Sequence, residues 1–188
     1  MYIGLAAALV LAMAVGVTSL GGPERIIQMV TQMVGGREVE KINSSEDNLI
    51  IVGEDEEKAY QEIKDEFGVD PVRIVIGPEG MTFKQLEIEK NFQLAELSYD
   101  YKGENVKYFI NASFSGTSWG IDIEDEKINQ YEVEKNECKI RIKEYQTPKT
   151  KVSRYSANFK YLGLEYYLIG TMNEEEFKII IDNLHFIQ

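Results

Sequence analysis

No charged side chain occurs in the first 23 residues of this 188-residue chain. Cysteine, histidine and tryptophan are each present once, as Cys138, His185 and Trp119. One cysteine excludes an intrachain disulfide and a thiolate metal cluster. One histidine excludes the common zinc ligand sets and leaves Ser113, Ser115 and Ser118 without a base unless His185 folds back. The chain also lacks a phosphate-binding GxxxxGK[ST] loop and a GxSxG nucleophile elbow; Gly77-Pro78-Glu79-Gly80 has neither the spacing nor the Lys-Ser pair. Basic residues are scarce against 32 acidic ones, for a net charge of −12. Such a body repels nucleic-acid phosphate and anionic headgroups, so nucleic acid is not an expected partner. No cofactor or metal is expected either.

What the opening does contain is apolar. Residues 2–20 read YIGLAAALVLAMAVGVTSL, about 29 Å if helical, close to the hydrocarbon thickness of a bilayer. A cleaved signal peptide would carry a basic start, and none precedes this stretch. A core helix apolar on every side is unusual in so small a domain. Residues 1–22 are therefore read as a membrane anchor. Arg25, Arg37 and Lys41 follow the span, which by the positive-inside rule alone points to a cytosolic domain. The missing basic flank also fits a chain preceded by further sequence, and on that ground an extracytoplasmic domain is expected. The lack of paired cysteines is compatible with a bacterial cell surface.

Residues 23–48 read as a short amphipathic helix and a linker. Pro23 suits a first helical turn. Ile26, Ile27, Val30, Met33 and Val34 share a face, and Gly35-Gly36 ends it. Residues 49–188 read as an acidic α+β domain. Leu49 to Val52 is a short strand. Glu54, Asp55, Glu56 and Glu57 crowd a helix start, where the dipole favours negative charge. Ala59, Tyr60, Ile63 and Phe67 form its apolar stripe before Gly68. Period-two alternation predicts strands over 82–89, 92–101, 105–112, 128–134, 138–145, 152–161 and 164–171. Turns at Gly103-Glu104, Asn136-Glu137 and Leu162-Gly163 are of hairpin length, so the sheet is expected to be antiparallel. Asn173 with Glu176 forms a capping-box pattern flanked by the staple pair Met172 and Phe177. Phe177, Ile180, Ile181 and Leu184 are the stripe of a helix over 173–184. The expected fold is an antiparallel sheet of about six or seven strands with two packed helices, preceded by one transmembrane helix.

Candidate chemistry is thin. His185 reads as a helix-tail residue. Asp122, Glu124, Asp125 and Glu126 read as a solvated acidic loop without the spacing of a calcium loop. The segment 114–120, FSGTSWG, puts the lone tryptophan among small polar residues between strands. Loops carry binding and Trp favours interfaces, so Trp119, Phe114 and Ser118 are the candidate contact surface.

Several stretches resemble one known family: EEKAYQEIKDEFG (56–68), PEGM (78–81), YKGENVKYFIN (101–111), SWGIDIED (118–125) and YLGLEYYLIGTMNEEEFKIIIDNL (161–184). Over roughly residues 50–187 the chain is similar to the domain of unknown function 4367, found mainly in clostridia and related bacteria. The resemblance implies a domain that follows one membrane helix, in anti-sigma-like proteins or other envelope sensors whose cytoplasmic part precedes the helix. No such part and no zinc-type anti-sigma His/Cys motif is present here. The family supplies no catalytic residues to carry over.

The expected function is non-enzymatic: a membrane-anchored sensory or interaction domain of a bacterial envelope protein, with the membrane and an envelope ligand or protein as partners. The rival is a hydrolase of envelope polymers working through acidic residues, which needs a cleft holding two carboxylates with raised pKa values. A passive structural or adhesion domain is the third reading.

Overall fold

The computed structural model describes residues 49–52, 55–113, 125–147 and 152–187. The anchor over 2–20, the amphipathic stretch and the linker lie outside them. Among the described residues no helix is long and apolar enough to cross a membrane.

The chain order is β1 (Leu49–Val52), α1 (Glu56–Phe67), β2 (Arg73–Ile74), β3 (Thr82–Glu89), a single 3-10 turn (Lys90–Phe92), β4 (Leu94–Tyr101), β5 (Glu104–Asn111), β6 (Glu126–Lys135), β7 (Cys138–Gln146), β8 (Arg154–Tyr161), β9 (Leu164–Thr171), α2 (Glu174–Asp182) and β10 (Leu184–His185). Eight strands form one sheet in the order β1-β3-β4-β5-β9-β8-β7-β6. Every neighbouring pair is antiparallel. Seven of the eight are the strands expected from alternation. The eighth, β1, joins β3 at the edge with Leu49 opposite Ile88. A separate two-stranded ribbon pairs β2 with β10.

Three hairpins close through two-residue turns with positive φ at both central positions: Lys102-Gly103, Asn136-Glu137 and Leu162-Gly163. That is the primed turn whose twist matches the strands it joins. The first lies one residue earlier than its sequence suggests, because Tyr101 pairs with Glu104 and leaves Gly103 in the second central position. Pro78–Met81 forms a turn: the Met81 N–H donates to the Pro78 carbonyl at 3.0 Å, with Gly80 at φ 88°.

One face of the sheet holds the core. Ala95, Leu97, Tyr99 and Tyr101 of β4, Val106, Tyr108 and Ile110 of β5, Cys138, Ile140 and Ile142 of β7, and Tyr155, Ala157 and Phe159 of β8 all point into it. Phe159 stacks on Tyr166 with ring centroids 4.7 Å apart, and Tyr155 on Phe177 of α2 at 5.3 Å. Each fully buried aliphatic or aromatic side chain here contributes about 1.5–3 kcal/mol. Both helices and the β2/β10 ribbon pack on this face through Ala59, Tyr60, Ile63, Ile74, Phe177, Ile180, Ile181 and Leu184.

The helix ends follow local chemistry. Asp55 caps α1 by accepting the Lys58 N–H at 3.0 Å, and Gly68 closes it at φ 71°. The α2 capping box is complete: Asn173 Oδ1 accepts the Glu176 N–H at 2.9 Å, and Glu176 Oε2 accepts the Asn173 N–H at 3.0 Å. The staple residues Met172 and Phe177 are both buried. This helix stops at Asp182, two residues before its expected end. The Asn183 side-chain amide donates to the Ile179 carbonyl at 2.8 Å, and Leu184 then pairs with Ile74. Lys135 of β6 supplies a cation at the same end, donating to the Ile181 and Asp182 carbonyls where the helix dipole favours positive charge.

Candidate functional site

The two faces of the sheet offer two polar arrangements. The first sits where α1 meets β2 and the sheet. Three members of the acidic cluster are described, and each has a partner within the protein. Asp55 is the cap. Glu57 accepts from Arg73 Nη1 at 2.7 Å. Glu56 accepts from the Tyr99 hydroxyl at 2.6 Å. Tyr99 in turn lies 3.2 Å from the Tyr60 hydroxyl, which accepts the Ile74 N–H at 2.9 Å. Donors and acceptors therefore run in one direction, from Ile74 N–H through Tyr60 and Tyr99 to the Glu56 carboxyl. Burial pushes the Tyr60 and Tyr99 hydroxyls well above the ordinary tyrosine range, so both stay protonated. Burial also raises Glu56; the Tyr99 hydrogen bond pulls it back and the charge of Glu57 adds to the rise.

The same hydroxyl chemistry holds the residues just before. Val72 is fully buried, outside any long strand. Its N–H donates to the Tyr166 hydroxyl at 3.1 Å, and its carbonyl accepts from the Tyr108 hydroxyl at 2.9 Å. Tyrosine serves this purpose because it fills the core with a ring and still delivers a hydrogen bond at its tip. Arg73 stands over the Tyr60 ring at 5.4 Å and donates to Glu57 and, at 3.0 Å, to Asp70. Segment 70–76 is thus the joint at which α1, the sheet and the tail of α2 meet.

The second arrangement is on the face opposite the core. Register places Glu96, Phe109, Tyr167 and Asn158 in one row, and Ser98, Lys107, Ile169, Ser156 and Lys143 in the next. Phe109 and Tyr167 are neighbours at 6.4 Å between centroids. Glu96 is only 7% exposed, and its Oε1 accepts from both Lys107 and Ser98. Ser156 hydrogen-bonds Tyr167. Arg154 Nη1 donates to Asp125 at 2.6 Å. Phe109 and Tyr167 are buried, as are Glu96, Ser98 and Ser156, so the rings and the polar groups set among them hold a two-sided sheet together and do not form an open surface.

Several candidate residues fall elsewhere. Trp119, Phe114 and Ser118, with Ser115, Asp122 and Glu124, lie outside the described residues. Ser113 donates its N–H to Asn111 at 2.8 Å. Glu126 is exposed on the edge strand β6. His185 is exposed, on β10 opposite Arg73 and not in a helix tail, because α2 has already ended. Cys138 is buried, its thiol 3.3 Å from the Lys160 carbonyl and pushed up by burial. Among the described residues no cluster of His, Cys, Asp and Glu could hold a metal ion. Burial pushes the Glu56 carboxyl upward, while Asp70 and Glu176 are pulled down by their cations.

The residues missed in the sequence are Tyr60, Tyr99, Tyr108 and Tyr166. Tyr60 read correctly as part of a buried helix stripe, but nothing in the period told that the four hydroxyls converge. The excess of tyrosine, 11 against 8 phenylalanines, was the available signal.

Neither the curated proteins nor the solved structures give a significant match to this chain. A protein family does match, over residues 71–184, from the joint at Val72 through the last helix. That span covers more than half of the chain, and the chain therefore belongs to the family described as a domain of unknown function (DUF4367).

Proposed function

We propose that this chain is a membrane-anchored, extracytoplasmic sensory or interaction domain of a bacterial envelope protein, of the kind that serves anti-sigma-type signalling. The observation that carries the reading is the charge step in the sequence: an uncharged apolar stretch over 2–20 followed by a body that takes the whole net charge of −12. A span of that length satisfies the bilayer, and the acidic body stays in water beside it. The anchor fixes the body near its ligand, so that capture changes the force or geometry felt at the linker. The small polar residues around Trp119 support a binding role.

Two measurements test this. Carbonate extraction of membranes should leave the full-length chain in the pellet, and deletion of residues 2–20 should release it. Protease applied to intact cells should then cut the domain. A chain found in the carbonate supernatant ends the anchor reading. A domain cut only after lysis reverses its sidedness.

A further inference from the structure

We propose that the tip of the β8–β9 hairpin, Tyr161-Leu162-Gly163, is a contact point for the lipid surface, with Leu162 as the residue that enters it. The inference rests on the anchor reading above and adds the place where the body touches the bilayer. Three primed turns close hairpins of this sheet, and a primed turn asks for Asn, Asp or Gly at its left-handed positions. Lys102 and Asn136 begin two of them with polar side chains; the third begins with leucine, at φ 47°. There an L side chain crowds the following carbonyl oxygen, and an apolar one makes no local hydrogen bond in return. Leu162 gains little from burial either, being 55% exposed. Among the described residues it is the one exposed large apolar side chain with a positive φ. A residue that neither the backbone nor the core favours points to a role outside the fold.

Strand register gives the direction in which the tip faces. From the edge inward, Leu49 lies opposite Ile88, Ile88 opposite Ala95, Ala95 opposite Ile110, Ile110 opposite Tyr166, and Tyr166 opposite Phe159. Tyr161 and Leu164, two residues further along the same strands, close the turn at Leu162. The residue at which the chain arrives from the apolar stretch is therefore at the same end of the sheet as this tip, while the Lys102-Gly103 turn is at the other. A tether entering at Leu49 holds that end toward the bilayer and makes a weak contact intramolecular, at high effective concentration. The tip also has the composition of an interfacial contact. Its apex is apolar, Tyr161 stands at its base, and Lys160 is exposed just below, with a long stem that can lie along apolar surface while its charge stays in water. Glu165, opposite Lys160, balances that charge. A body of net charge −12 is repelled by anionic headgroups over most of its surface, which confines contact to a small uncharged apex.

The test uses the full-length wild-type chain in phosphatidylcholine nanodiscs and compares two amides, Gly163 at this tip and Gly103 at the opposite end. Both occupy the second central position of a primed turn. A doxyl-labelled lipid should broaden Gly163 several-fold more than Gly103, and a water-borne gadolinium chelate should do the reverse. An equal response of the two amides to both probes overturns the contact and leaves the anchor intact. Gly163 shielded from gadolinium but not broadened by the lipid label gives the tip to a protein, a second copy included, and overturns it as well. A chain that does not stay with the nanodisc ends the anchor reading and this inference with it. Leu162→Asn supplies a second measurement, since asparagine tolerates the left-handed region. It should unfold at the same or a higher urea concentration than the wild type and bring the lipid broadening of Gly163 down to that of Gly103. A clearly lower unfolding midpoint assigns Leu162 to the fold, and unchanged broadening removes it from the contact; either result overturns the proposal.

Discussion

The two helices lie on the same sheet face and are held there by different forces. Phe177, Ile180 and Ile181 anchor α2, with a complete capping box at its start. The first helix buries Ala59, Tyr60 and Ile63, a smaller apolar surface, and adds a row of hydroxyls and carboxylates. Apolar attachment is nondirectional and insensitive to pH; hydrogen-bonded attachment is directional and depends on protonation. The fold thus ties α2 chiefly by packing and α1 by a larger share of directional hydrogen bonds.

The largest expected effect falls on the packed helix. Phe177→Ala removes a fully buried ring stacked on Tyr155 and should cost about 3–5 kcal/mol, read from the midpoint of urea unfolding. Tyr60→Phe takes away a single oxygen from α1 yet should cost about 1–3 kcal/mol, because the Ile74 N–H is left buried without a partner. A neutral Tyr60→Phe would show that α1 is held by packing alone and would erase the contrast.

Sequence reading and structure agree best where the signal is local. The capping box, the staple and the hairpin turns each involve residues within five positions, and all are present, one turn a residue earlier than expected. Period-two alternation told that residues 105–112 form a strand. It did not tell that β5 pairs with β9 across the middle of the sheet, since that seam joins residues with no turn between them. Nor did it place Leu184 in a ribbon with Ile74, because an i, i+3, i+4, i+7 pattern reads the same whether its last member is helical or one step beyond. The candidate site was less legible still. The crowding of Glu56 and Glu57 at a helix start was clear and correctly ascribed to that start, but their partners Tyr99 and Arg73 lie 43 and 16 residues away. Such long-range polar convergence has no period.

A smaller effect sharpens the contrast at the start of α2. Asn173→Ala should cost about 1 kcal/mol by leaving the Glu176 N–H uncapped, while leaving β-sheet amides protected to exchange. A cost near that of Phe177→Ala would mean that the cap, and not the stripe, fixes this helix.

The finest discriminator is the sign of the response to acid. At α2, burial would raise Glu176, but hydrogen bonds from Lys102, Tyr101 and the Asn173 N–H outweigh it and hold the carboxyl at about 2. A depressed acid stabilises the folded state above its ordinary pKa and gives up that stability as pH falls toward the folded value. The start of α2 should therefore loosen between about pH 4.3 and pH 2. At α1 the raised Glu56 works in reverse: its contribution is complete below the ordinary carboxylate value and is lost as pH rises through the folded one. Amide exchange at Glu176 and at Ala59, whose N–H donates to the Asp55 carbonyl at the start of α1, followed in one acid titration, should move in opposite directions. Glu56→Gln should abolish the movement at Ala59 alone, and Glu176→Gln should abolish that at α2 alone. Movement in the same direction would mean that both helices report a single global unfolding and that the two attachments are not independent.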